Sequence, residues 1–151
     1  MADLQDEVTL VVHPYYPQLN GEVKEGGMGY LNNYIAQLEA IIRERDPIKG
    51  IVLFDTKDHY RKRSHELGIK HYVETEETTG SPINLHDLGI FENVKKLIIV
   101  GSKIEGCLLT AEGSIRTKFP NIEVDYNLDA CYDGLHKYRD ITTGDNFITW
   151  K

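Results

Sequence analysis

Short apolar runs alternate along the chain with stretches whose apolar residues recur every three or four positions. Val8-Thr9-Leu10-Val11-Val12 is β-branched and almost free of polar residues, the pattern of a strand covered on both faces. Ile51-Val52-Leu53-Phe54 and Leu97-Ile98-Ile99-Val100 repeat it, the latter closed by Gly101. His71-Tyr72-Val73 and Ile122-Glu123-Val124-Asp125-Tyr126 are weaker strand candidates. Between them lie helical patterns. From Met28 to about Arg45, Leu31, Ile35, Leu38 and Ile42 form one stripe, ended at Asp46-Pro47 because a residue before proline avoids helical backbone. From Glu105 to Phe119, Leu108, Ala111, Ile115 and Phe119 form another, ended by Pro120. Residues 57–67 and 83–93 read as shorter helices, the first closed by Gly68.

Strands and helices in alternation, with strands apolar on both faces, predict a three-layer α/β/α fold. Its sheet is mostly parallel, in a doubly wound, Rossmann-like arrangement. Such sheets bind ligands beyond the C-terminal strand ends, where the strand order reverses. In common orders the first and fourth strands meet there, which places His13 beside Gly101-Ser102.

The chain has 151 residues, the size of one domain over 1–151. Against 24 Asp and Glu there are 17 Lys and Arg, a net charge of −7 that argues against general nucleic-acid binding. The basic group Lys57, Arg61, Lys62 and Arg63 reads as a solvated helix face. No apolar run approaches the ~20 residues of a membrane span, and Met1 to Glu7 lacks the pattern of a secretion signal. A cytoplasmic location is expected, with Cys107 and Cys131 as free thiols. Gly26-Gly27-Met28-Gly29 meets neither the P-loop nor the dinucleotide fingerprint, so no cofactor is expected.

Cys107 is the most informative residue. It follows a strand end and opens a helix, where unpaired N–H groups and the helix dipole favour a thiolate, while Glu105 opposes this. A buried structural cysteine is the competing reading.

The run Leu97 to Ala111 resembles the signature of isochorismatase-like cysteine hydrolases, a family that includes nicotinamidases. Gly101 and Cys107 keep the family spacing and Glu105 occupies its acidic position. Val124 to Cys131, with Asp129-Ala130, resembles the family's next strand. Phe54-Asp55-Thr56-Lys57-Asp58-His59 resembles the end of its second strand. The similarity is diffuse over about residues 8–131. It implies an isochorismatase-like fold with Cys107 as nucleophile.

The chain also departs from the family pattern. The family's base, an Asp ending the first strand, is His13 here. Its Lys after the third strand falls at Glu74 or Thr75. Its Thr before the acidic residue is Ile104, and its Asp-x-His pattern is the adjacent pair Asp58-His59. One reading is a lost active site in a catalytically degraded member, its fold kept for binding or assembly. Another is a rebuilt triad of Cys107 as nucleophile, His13 as base and Glu74 orienting the base, with N–H groups at Gly106 and Cys107 as the oxyanion hole. His13 as a hydrogen-bonded loop residue at a strand end is the plain alternative.

Tyr15 and Tyr16, just past the first strand, are candidate walls for a flat ligand, or else pack their own loop. Asp55, Asp58 and His59, with His13 and His65, are the weak candidates for a metal site, and no metal is expected. The polar segment 74–82 reads as an exposed loop or a lid. The apolar tail with Phe147, Ile148 and Trp150 suits docking on a second copy, or packing within the chain. Three function classes stay open. The first is a cysteine hydrolase of a small amide or related metabolite. The second is a binding or assembly protein, and the third a flavodoxin-like ligand-binding or regulatory domain. The expected partners are a small-molecule ligand and a second copy in a homo-oligomer, with neither nucleic acid nor membrane.

Overall fold

The computed structural model describes residues 4–15, 27–57, 64–76, 79–102 and 104–132. Among the described residues five strands form one sheet: β1 (Glu7–Val12), β2 (Ile51–Asp55), β3 (His71–Glu74), β4 (Lys96–Ser102) and β5 (Glu123–Tyr132). All neighbours pair in parallel, in the order β3-β2-β1-β4-β5. The chain winds outward from β1 through β2 to β3, then returns across the sheet to β4 and β5. The order therefore reverses between β1 and β4, as expected.

Alternation along β1 explains the three layers. Leu10 and Val12 join an apolar cluster with Phe54, Leu88, Phe91 and Ile115. Val11 faces the other way, toward Leu31, Tyr34, Leu38 and Leu53. Helix α1 (Gly27–Glu44) covers this second face, and α2 (Leu109–Lys118) with the 3-10 helix Leu85–Phe91 covers the first. Each fully buried aliphatic or aromatic side chain contributes roughly 1.5–3 kcal/mol.

The buried stripe of α1 runs through Leu31, Tyr34, Leu38 and Ile42, with Ile35 at its shoulder. The aliphatic pattern had pointed to Ile35 instead. Tyr34 takes the central place because its hydroxyl finds a buried acceptor, the Pro14 carbonyl. After α1, the Asp46 carboxylate accepts from the Ile48 and Lys49 amides at 2.9 and 3.2 Å, completing the stop at Pro47.

Three expected elements differ in detail. The segment expected as a helix over 83–93 is the 3-10 helix Leu85–Phe91, capped by Asn84, whose side chain accepts from the His86 amide. So short a segment, with Gly89 inside it, gains little from α-helical propagation. The helix expected from Glu105 starts as a single π turn, Ile104–Leu108, and becomes α-helical only at Leu109. The last strand runs on to Tyr132 and takes in Asp129-Ala130. Its register against β4 shifts between the pairs Ile99–Tyr126 and Gly101–Cys131. Of the helix expected over 57–67, residues 58–63 lie outside the described residues. Residues 65–68 form a turn, with the Gly68 amide donating to the His65 carbonyl at 3.0 Å and Gly68 at φ +83°. Among the described residues no helix is long and apolar enough to cross a membrane.

Candidate functional site

His13 ties together the C-terminal ends of four strands. Its amide donates to the Phe54 carbonyl on β2 at 2.9 Å, and its own carbonyl accepts from Ser102 Oγ on β4 at 2.7 Å. Its ring Nε2 lies 2.7 Å from Oγ1 of Thr75, the residue after β3. The residue is wholly buried and holds a left-handed backbone at φ 41°. That conformation costs a non-glycine residue of order 1 kcal/mol, and the three anchors hold it. These bonds fit both a base held in place and a hydrogen-bonded loop residue at the strand end.

Glu74 does not take the orienting role expected of it. It is exposed, and the ring meets Thr75 instead. The reason is the two-residue period of the strand. Val73 and Thr75 are buried, and Glu74 between them turns to solvent. The same alternation, with a charged residue flanked by Val and Thr, was available in the sequence as a signal for Thr75.

Past Thr75 the chain doubles back. Thr75 pairs antiparallel with Pro82, the Glu76 amide donates to the Ser81 carbonyl, and the Ile83 amide to the Glu74 carbonyl. This hairpin reaches Cys107. A Cβ on Gly80 would collide with the Cys107 carbonyl oxygen and lie 3.1 Å from its carbonyl carbon. The hairpin thus touches both members of the proposed pair, Thr75 at His13 and Gly80 at Cys107. Gly80→Ala is expected to push it off Cys107, lowering stability by about 1–3 kcal/mol and raising native-state alkylation of Cys107. Thermal melts and thiol-labelling rates read the two effects, and an unchanged pair of values would refute this contact.

Cys107 lies in the π turn that leads directly into α2, at the positive end of the helix. Isolated π turns recur at functional sites. The residue is 8% exposed and belongs to the apolar cluster with Leu88 and Leu108. Gly106 is half-buried and its carbonyl accepts from Thr110 Oγ1. Neither cysteine is in a disulfide; Cys131, buried in β5, donates to the Ile99 carbonyl at 3.6 Å.

Tyr15 is buried, and its hydroxyl donates to Glu39 on α1 at 2.7 Å. Glu39 also faces Arg43 at 3.4 Å. Tyr15 therefore packs the start of the loop onto α1 rather than standing open as a pocket wall, because a buried phenol needs a polar partner. Tyr16 lies outside the described residues. Tyr34, which the helical stripe did not single out, stands beneath the strand ends, its ring 5.5 Å from that of Tyr132. Burial pushes its phenol well above the ordinary tyrosine range, and the nearby Cys131 and Tyr15 add to this. It therefore serves as a neutral donor.

Asp55 is buried at the end of β2, where its carboxylate accepts from the Thr56 amide at 2.8 Å. His65 is exposed, in the turn before Gly68. Asp58 and His59 lie outside the described residues. Among those described, no three His, Cys, Asp or Glu side chains come together to hold a metal ion.

No protein-family model matches the chain, and no match was found among curated proteins. Among solved structures, the chain is similar to the YcaC gene product of Escherichia coli, described as an octameric hydrolase of unknown specificity. Identity is 19%, the TM-score is 0.52, and the match covers 89% of this chain and 68% of that one. The likeness shows the fold alone, a parallel α/β sheet with helices.

Proposed function

We propose that this protein is a hydrolase of a small amide or related metabolite, with Cys107 as nucleophile and His13 as base. One observation carries the reading. His13 ends β1, and Cys107 lies in the turn leaving β4, the strand paired with β1 where the sheet order reverses. In the first step His13 takes the thiol proton and the Cys107 sulfur attacks the carbonyl carbon. The C–N bond then breaks as the imidazolium returns that proton to the leaving nitrogen. Water, deprotonated by His13, then adds to the thioester carbon, the C–S bond breaks to release the acid, and the imidazolium returns its proton to the Cys107 sulfur. N–H groups at Gly106 and Cys107 are the proposed donors to the oxyanion. The hydrolase description of the structurally similar protein supports this chemistry class.

The pH profile of Cys107 alkylation in a Cys131→Ser background tests the pair. Reaction that persists near pH 6.5 is expected. A thiol reacting only above pH ~8.5, the ordinary cysteine value, would overturn the reading. It would favour instead a binding or assembly protein with a structural cysteine, a role that suits the 8% exposure of Cys107.

Self-association is the companion proposal, supported by the octameric state of the similar structure and by exposed Ile83 and Leu85 beside the hairpin. Light scattering on the eluting protein is expected to give a multiple of 17.3 kDa. A monomer at tens of micromolar would refute it.

A further inference from the structure

We propose that Thr75 is a positioning residue that selects the orientation and tautomer of the His13 ring. The inference deepens the hydrolase reading and rests on His13 acting as the base. Both residues are pinned before their side chains meet. The His13 backbone is bonded to β2 and β4, as described, and the Thr75 amide donates to the Asp55 carbonyl at 2.9 Å. Thr75 is further fixed by its bridge to Pro82. Between these two supports Thr75 Oγ1 lies 2.7 Å from His13 Nε2, with both residues buried.

The chemistry follows from the donor and acceptor roles of a neutral imidazole. One ring nitrogen carries the proton and the other the lone pair. If Nε2 donates to the Thr75 hydroxyl, Nδ1 is the nitrogen that can accept a proton. A hydroxyl differs from the carboxylate that orients histidine in many triads, because it brings no negative charge to favour the imidazolium. A hydroxyl can itself donate or accept, so the proton on Nε2 is the part of the proposal that the ring signals decide, and in either tautomer Thr75 brings no charge to the ring. Glu74, one residue earlier and exposed, is not in place for this.

The experiment is nitrogen-15 NMR of the histidine ring, in wild type, Thr75→Val and Thr75→Ser. Cys107 alkylation at pH 6.5 is measured on the same samples, with His13→Ala beside them. Valine keeps the branched shape and removes the oxygen; serine keeps the oxygen. Wild type and Thr75→Ser are expected to hold His13 in the Nε2–H tautomer. Thr75→Val is expected to mix the tautomers and slow alkylation about tenfold, the effect of one neutral hydrogen bond. Ring signals identical in Thr75→Val and wild type overturn the assignment. So does a wild-type ring in the Nδ1–H form, which is readable even if the valine variant does not fold. Alkylation that ignores His13→Ala while the ring still responds to Thr75→Val is a different result. It overturns the catalytic reading and with it the use assigned to Thr75.

Discussion

Gly101→Ala is expected to cost about 3–5 kcal/mol, a large part of the ~5–15 kcal/mol that holds a domain together. Gly101 has φ +122°, a conformation that L side chains rarely adopt, and this alone costs ~1–3 kcal/mol. A Cβ there would also collide with the Val12 carbonyl oxygen and lie 2.8 Å from the Val12 nitrogen. Both obstacles are backbone atoms of β1, its partner in the centre of the sheet, so no rotamer change relieves the clash. Relief requires β4 to part from β1 next to Ser102 and His13. Urea unfolding measures the loss. Gly113→Ala is the control, since that glycine sits exposed in α2 with open space around it. The control is expected to be neutral or to stabilise by up to about 1 kcal/mol. A Gly101→Ala midpoint equal to wild type would mean that the two strands do not meet as described.

Loss of His13 is expected to slow Cys107 alkylation at pH 6.5 by up to about a hundredfold. The factor comes from ionisation alone. An ordinary thiol, with a pKa near 8.5, is only ~1% thiolate at that pH. A thiol whose proton passes to a neighbouring base reacts as if largely ionised. The sign is definite: His13→Ala removes the acceptor, so reactivity falls at low pH and converges with wild type as the pH rises past ~8.5. Because His13 also bonds the ends of β2, β3 and β4, the variant requires a melt beside the rate measurement. His13→Asn tolerates the left-handed backbone at φ 41° better than alanine, keeps a polar side chain, and separates the two effects. A low rate at pH 6.5 in a folded Asn variant assigns the effect to the base. Rates unchanged in both variants would make Cys107 an isolated thiol.

The sheet was legible because its signal is local. A run such as Val8 to Val12 or Leu97 to Val100 is short, branched and apolar on both faces, the pattern of a covered parallel strand. The Cys107 segment was legible for a related reason: a glycine at a strand end followed by a helical stripe fixes where the chain turns. The partner of the His13 ring was misplaced by one position. Glu74 has the chemistry expected of that role, but the strand period directs it to solvent and brings Thr75 inward. Tyr34 was passed over for Ile35 because periodicity ranks residues by apolarity, whereas the buried place went to a phenol with an acceptor at Pro14. Tyr15 reads alike in sequence whether it lines a pocket or packs a loop. Its partner Glu39 lies 24 residues away, and spacing does not reveal that pairing.

The sequence by itself determined the α/β class, the parallel sheet and the candidate positions at the ends of β1 and β4. These follow from hydrophobic period and chain punctuation, which act within a few residues. The tertiary structure alone decided which side chain His13 meets and that Cys107 sits in a π turn under the Gly80 hairpin. It also decided that Gly101 must stay bare against Val12. The contacts among these join residues remote in sequence, 62 positions apart in the case of His13 and Thr75. Such contacts depend on strand register and backbone approach, which are settled only when the whole sheet closes.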